Sequence, residues 1–271
     1  MTNYTDFLNA LAAYYAAHGR YDLLWRLPEA DGSFDPYKVL VSEIMLQQTQ
    51  VPRVIPKYEA FLQRFPAISE LAAASLGDVL VTWQGLGYNR RAKFLWLAAQ
   101  RIVSDFNGRL PNNQTALESL PGIGANTAGA IRAYAFNEPV VFVETNIRTV
   151  YIHHFFKDKA DIPDVAVRMV LSKTLDHRNP RVFYWSLMDY GSYLKQVVGN
   201  LSRASKAYAK QSKFAGSARQ LRGRALRLLA GGALSEAALL DELHDTRAAA
   251  IVADLTREGL IQRVSGHYKL P

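Results

Sequence analysis

The 271-residue sequence predicts an all-α body followed by a small α+β module of winged-helix order. Two observations carry this. Apolar residues recur at helical spacing through most of 39–190, and strand-like alternation is weak before residue 250. Residues 216–271 then show three helical patterns and two short alternating runs around Ser265–Gly266, a hairpin signal.

The elements follow in order. The opening MTNYTDFLNALAAYYAAHGR has no basic leader and contains Asp6, so it reads as an amphipathic helix rather than a signal peptide. Val39–Gln47 has helical spacing, with a boundary at Pro52, and Ile55–Phe65 repeats the pattern up to Pro66. Leu71–Ala74 and Leu76–Trp83 are short helices, broken at Gly85–Gly87. Arg91–Phe106 is longer and stops at Asn107–Gly108. Thr115–Leu120 and Asn126–Phe136 flank the turn PGIG, and Asn146–Phe155, Val165–Leu175 and Val182–Tyr190 complete the body. Residues 195–216 read as a linker, or a loop lying on a polyanion. Arg219–Ala230, a helix capped by Ser235, and Thr246–Glu258 precede the hairpin.

Composition narrows the function. With 49% hydrophobic and 21% charged residues the profile is that of a soluble globular protein. No apolar run approaches the roughly 20 residues that span a bilayer. The absence of cysteine excludes disulfides, zinc–thiolate sites and cysteine-ligated iron–sulfur clusters, and no cofactor is expected. The six histidines show no metal-ligand spacing, and there is no Walker loop and no GxGxxG. A cytoplasmic monomer is expected, nucleoid-associated in a bacterium. Between Tyr190 and Ser235 there is no Asp or Glu, but there are nine cations: Lys195, Arg203, Lys206, Lys210, Lys213, Arg219, Arg222, Arg224 and Arg227. They exceed the whole net charge of +8 and point to a polyanion such as nucleic acid; a solvated face or a membrane-surface patch is the alternative.

Four short motifs carry candidate chemistry. LPGIGANTAGAI (120–131) has the form of a helix–hairpin–helix element. Gly122 and Gly124 permit a tight turn, and the backbone from there through Asn126 and Thr127 offers amides to a phosphate. In SEIMLQQTQV, Glu43 lies among apolar residues, where desolvation would let it hold a proton near neutral pH; a salt-bridged face residue is the competing reading. Gln47, Gln48 and Gln50 suit base-edge contacts or a solvated face equally well, and GLGYNRRAK (85–93) joins an aromatic to three cations, a mix suited to stacking and phosphate contact. VETNIRT (143–149) sets Glu144 and Asn146 at a helix start, as a solvated cap or as a catalytic acid.

These blocks, with DLLWR (22–26), WQGLGYNRRAKFL (83–95) and LMDYGS (187–192), resemble the MutY-type adenine DNA glycosylases of the helix–hairpin–helix superfamily, over about residues 20–192. The resemblance implies two helical lobes beside a cleft: a six-helix lobe over about 30–136, and a second built from 1–29 and 137–215. The C-terminal module would occupy 216–271. It implies that double-stranded DNA carrying a mispaired or damaged base is kinked and the target nucleotide flipped out. Glu43 would protonate the leaving adenine, and Glu144, with Asn146, would stabilise the cationic sugar. Gln48 would wedge into the duplex and Tyr88 intercalate beside the lesion. Asn126 stands where lyase relatives carry a lysine, which implies hydrolysis without strand cleavage.

Three departures qualify the resemblance. The family's aspartate is glutamate at 144, a carboxylate displaced by about 1.5 Å in extended geometry. The four-cysteine cluster loop has no counterpart, and the basic segment stands there, with Lys206, Lys210, Lys213 and Arg222 expected to contact the DNA backbone. The MutT-like domain that reads 8-oxoguanine also has no counterpart within these residues. Recognition of 8-oxoguanine then rests on Tyr88 and the glutamine block alone, and it is the resemblance that makes adenine opposite 8-oxoguanine or guanine the leading substrate. Removal of uracil, mismatched thymine or an alkylated base is a second reading, and a non-catalytic DNA-binding protein a third.

Overall fold

The computed structural model describes residues 3–208 and 213–271. In chain order its helices are α1 (Tyr4–His18), α2 (Pro36–Leu46), α3 (Val51–Arg64), α4 (Ile68–Ala73), α5 (Leu76–Thr82), α6 (Arg90–Phe106), α7 (Gln114–Ser119), α8 (Ala125–Phe136), α9 (Thr145–Phe155), α10 (Asp164–Thr174), α11 (Pro180–Val197), α12 (Ala218–Ala230), α13 (Glu236–Leu243) and α14 (Ala248–Arg257). Strands β1 (Leu234–Ser235), β2 (Gln262–Val264) and β3 (His267–Lys269) form one antiparallel sheet in the order β1-β3-β2. The sequence supplies the helix starts: Asn3, Ser75, Ser217 and Ser235 each accept an amide hydrogen from the first turn they precede. Asn107 and Asn137 end α6 and α8 in the left-handed conformation.

The chain divides into two compact units: Met1–Val39, Asn112–Glu118 and Ile123–Lys210 in the first, and Leu40–Pro111, Ser119–Gly122 and Gln211–Pro271 in the second. In the first unit α9 and α11 pack along each other, and Phe142 stacks on Tyr184 with ring centroids 4.2 Å apart. The DLLWR and LMDYGS motifs meet there. Asp189, almost fully buried, takes two hydrogen bonds of 2.8 Å from the Arg26 guanidinium and bonds from the Arg20 Nε (2.7 Å) and backbone N–H (2.9 Å). In the second unit α4 packs on α6, and Trp83, Phe61 and Phe65 fill the core. The β2–β3 turn places both Ser265 (φ +49°) and Gly266 (φ +80°) in the left-handed region, the requirement of a tight two-residue hairpin. The backbone N–H of Gly77 donates to the Pro271 carbonyl at 2.9 Å, tying the chain end to α5.

Three expectations change. The helix expected from Ile55 begins at Val51, because Pro52 falls in the first turn, where its missing N–H leaves no intrahelical bond unmade. α11 runs to Val197 rather than ending near Tyr190: Gly191 keeps helical backbone, and the chain leaves the helix only before Gly199 (φ +93°). The segment read as a linker is packed in its first part: the N–H of Ile162 donates to the Ala204 carbonyl (2.9 Å), that of Lys206 to the Ile162 carbonyl (3.1 Å), and Ser202 and Ser205 are buried. The C-terminal module falls in the same compact unit as residues 40–111: α12 packs on α5, and Lys93 and Arg90 reach Glu258.

Candidate active site

In the first unit Glu144 caps α9. Its backbone is extended, and Oε1 accepts the N–H of Asn146 at 2.6 Å and that of Ile147 at 3.1 Å. Glutamate is longer than the usual capping residues; the extra methylene is taken up by folding the carboxylate back over its own helix start. Two amides and the positive end of the helix thus hold a half-buried carboxylate in one orientation. Oε2 takes no hydrogen bond from the described residues.

Around Glu144 the other residues of VETNIRT divide by role. Arg148 grips Asp164 of α10 with two bonds of 2.8 Å, and this contact holds the Asp164 carboxyl below the usual range. Arg148 therefore braces helices rather than facing a ligand. Asn146 meets α11. Its side-chain oxygen accepts from the Lys195 ammonium, and its Nδ2 lies 4.0 Å from Met188 Sδ. Asn126 is exposed at the start of α8, with Oδ1 toward the Val143 N–H (3.5 Å) and Arg168 Nη2 (3.2 Å). Gly124 precedes α8 without any side-chain cap, and Gly124, Ala125 and Asn126 are exposed, the arrangement of an anion-accepting helix start.

In the second unit Glu43 is half-buried on α2, beside the buried Ser42, Ile44 and Met45. Gln48 (φ +54°) and Tyr88 (φ +47°) both adopt left-handed backbone, which costs a non-glycine residue about 1 kcal/mol or more. Arg91 holds both turns. Its Nη1 donates to the carbonyls of Ile44 (2.8 Å), Met45 (2.8 Å) and Gln47 (2.6 Å), and its Nη2 to Thr49 Oγ1 (3.0 Å), Leu86 O (3.3 Å) and Gly87 O (3.2 Å). Burial lowers the Arg91 pKa to about 10, so it stays charged at neutral pH. The hairpin glycine Gly122 has φ +80°, and a Cβ there would lie 2.8 Å from Phe94 Cβ, so the turn needs glycine on both counts.

Gln48, Tyr88 and Phe94 line a cleft of about 560 Å³ with Arg219, Arg222 and Glu258 of the C-terminal module. Tyr88 is flanked by two guanidinium groups, Arg91 at 5.4 Å and Arg219 at 5.3 Å from its ring centroid, and Arg219 also donates to its hydroxyl.

The cations assigned to phosphate contact fare differently. Lys206 and Lys213 are exposed. Lys210 lies outside the described residues. Arg222 pairs with Glu258, so its charge is matched within the protein. Of the three cations in GLGYNRRAK, Arg91 is turned inward and Lys93 donates to the Glu258 carbonyl, leaving Arg90 the most exposed. Reading the sequence as a charge stripe missed Lys195 and Arg219 as internal contacts, and reading GLGYNRRAK as a phosphate-contacting mix missed Arg91. A signal existed for Lys195: Met188, Gly191 and Lys195 recur at i, i+3 and i+7, one face of a helix continued past Tyr190. Nothing local marks Arg219, whose partner Tyr88 is distant in sequence, and Arg91 draws most of its partners from the distant turn after α2. Among the described residues no group of three or more His, Asp or Glu side chains is arranged to hold a metal ion, and no helix is long and apolar enough to cross a membrane.

Residues 41–173 match the family model described as HhH-GPD superfamily base excision DNA repair protein. An adenine DNA glycosylase of Buchnera aphidicola subsp. Baizongia pistaciae is 36% identical over 192 residues, 69% of this chain and 52% of that protein. The adenine DNA glycosylase of Mycolicibacterium smegmatis is 44% identical over 133 residues, 49% of this chain and 44% of that protein. The chain thus spans about half the length of the curated relatives it matches. In fold it is similar to a thermostable thymine-DNA glycosylase (TM-score 0.59, 23% identity, 70% of this chain and 86% of that one). It is also similar to endonuclease III in a non-covalent DNA complex (TM-score 0.59, 18% identity, 78% and 91%). Residues 41–173 thus form a domain of the HhH-GPD superfamily of base-excision DNA repair proteins, and the curated relatives of the chain are adenine DNA glycosylases.

Proposed function

We propose that the protein is a monofunctional DNA N-glycosylase that flips a base out of double-stranded DNA and removes it by hydrolysis, adenine opposite 8-oxoguanine or guanine being the substrate. The observation that carries this is Glu144. A carboxylate fixed through one oxygen by two helix amides, with its second oxygen unbonded by the described residues, is a preorganised partner for developing positive charge. A protein that only binds DNA would need it solely as a helix cap.

In this reading the N-glycosidic bond breaks with its electron pair leaving on the base. Glu43 supplies the proton that neutralises the departing base. Positive charge builds on C1′ and the ring oxygen of the sugar, and Glu144 stabilises it. Water adds to C1′ and gives up its proton to the Glu144 carboxylate, leaving an abasic site. Two carboxylates with separate tasks are the general pattern of glycoside hydrolysis. Asn126 offers no amine to attack C1′, which supports hydrolysis without β-elimination. The uncapped start of α8, with exposed Lys206 and Lys213, suits DNA phosphates; Tyr88 and Gln48 suit a disrupted base stack.

The test is a single-turnover panel of labelled duplexes carrying A opposite 8-oxoguanine, A opposite G, T opposite G, U opposite G and an alkylated purine, each with and without hot alkali. Alkali-dependent cleavage of the adenine duplexes is expected. Cleavage of another duplex alone would replace adenine as the substrate, cleavage without alkali would remove the monofunctional assignment, and silence on every duplex would leave a DNA-binding protein.

A further inference from the structure

Lys195 was grouped by sequence with cations that meet DNA. Its place in the fold is different. It lies in the last turns of α11, one turn beyond Gly191, and its ammonium donates to Oδ1 of Asn146. The backbone N–H of Asn146 is in turn held by Glu144 Oε1 at 2.6 Å. Lys195, Asn146 and Glu144 thus form one chain of contacts at the head of α9.

The chemistry of the pair is directional. An ammonium group has three donors and no acceptor, so only the oxygen of the Asn146 amide can face it. Lys195 therefore fixes which way that amide points, and its NH₂ is turned toward Met188. The ammonium is only half-exposed. Burial favours its neutral form and pulls its pKa below the ordinary lysine value, the Glu144 carboxylate opposes that, and Arg148 adds to the lowering. Arg148 is itself paired with Asp164.

We propose that Lys195 is a positioning residue for the glycosylase site, holding the Asn146 amide beside Glu144 in one orientation. The proposal rests on the reading of Glu144 given above. It separates Lys195 from the phosphate-contacting lysines and gives α11 a part in the reaction through contact rather than through substrate.

The experiment uses the full chain with Lys195→Met, which keeps the apolar stem, and Lys195→Arg, which keeps charge and donors. Single-turnover base release is measured on whichever duplex the wild-type protein cleaves. Affinity and its salt dependence are measured on a duplex holding a tetrahydrofuran abasic analogue, and borohydride trapping is run alongside. Lys195→Met should slow base release about 100-fold, the scale of a misplaced catalytic group. Its affinity should stay within about twofold with the salt slope unchanged, and Lys195→Arg should recover most of the rate. An unchanged rate would overturn the proposal. So would a weaker affinity with a salt slope shallower by about one, the mark of a lost phosphate contact, or a trapped covalent adduct that disappears in Lys195→Met, the mark of a nucleophile. A readout independent of activity is the thermal stability of Lys195→Met, Asn146→Ala and the double variant. Non-additive losses in Tm are expected, and additive losses would overturn the link even on a protein that cleaves no duplex. A silent panel with non-additive losses would instead count against the glycosylase reading alone.

Discussion

Gly191 of α11 lies so close to Asn146 of α9 that a Cβ at position 191 would sit 2.4 Å from the Asn146 carbonyl oxygen. The glycine in LMDYGS is thus a packing requirement of the residue beside Glu144. Gly191→Ala should force the two helices apart, lower stability by about 1–3 kcal/mol and displace Asn146. Thermal denaturation together with single-turnover base release checks this. Wild-type stability would mean that the helices part freely there.

Arg91 joins the turn after α2 to the turn before α6 through six hydrogen bonds. A lysine cannot reproduce that planar fork. Arg91→Lys should lower stability by about 2–4 kcal/mol, since several buried carbonyls lose their donor. It should also weaken binding to DNA, because Gln48 and Tyr88 lose the contacts that hold their left-handed backbone. Denaturant titration and a binding isotherm measure both effects; a loss of affinity without a loss of stability would place Arg91 on the DNA instead.

Asp189 gives a pH-dependent prediction. Burial works to raise its pKa, but the hydrogen bonds and charge of Arg26, then Arg20, outweigh it and hold the carboxyl below the ordinary value. A folded-state pKa below the unfolded value near 3.9 means the contribution is complete above that pH and is lost as pH falls through the folded value. Asp189→Asn should therefore cost about 3–5 kcal/mol at neutral pH, because two arginines lose their counter-charge. The gap to wild type should narrow below about pH 4. A gap independent of pH would contradict the ionised assignment.

Much of this was legible in the chain, and the misses share a cause. The PGIG turn, the Ser235 cap and the Ser265–Gly266 hairpin are local signals, so the sequence placed them well. Glu144 was found as a helix-start carboxylate for the same reason, although its bend back onto its own amides was not foreseen from its length. The basic stripe misled because charge count carries no direction. Lys195, Arg219 and Arg222 each reach a group that is distant in sequence, Asn146, Tyr88 and Glu258, and only the fold brings them together.

That distinction predicts which cations meet DNA. Lys206 and Lys213 are exposed, whereas Arg222 is paired with Glu258. Reversing both lysines to glutamate should weaken binding to every duplex and make the dependence of log K on log salt shallower by about two. Arg222→Met should instead act mainly on stability. Equal salt slopes for the double variant and wild type would make those lysines a solvated face.

The central claim is that two carboxylates divide the chemistry. Single-turnover base release from a duplex holding A opposite 8-oxoguanine, compared among wild type, Glu43→Gln and Glu144→Gln, tests it most directly. Glutamine keeps an oxygen able to cap α9, so fold and affinity should persist in Glu144→Gln. Wild type should give alkali-dependent cleavage, with each variant slower by about 100-fold or more. Base release by either variant at the wild-type rate would contradict the account.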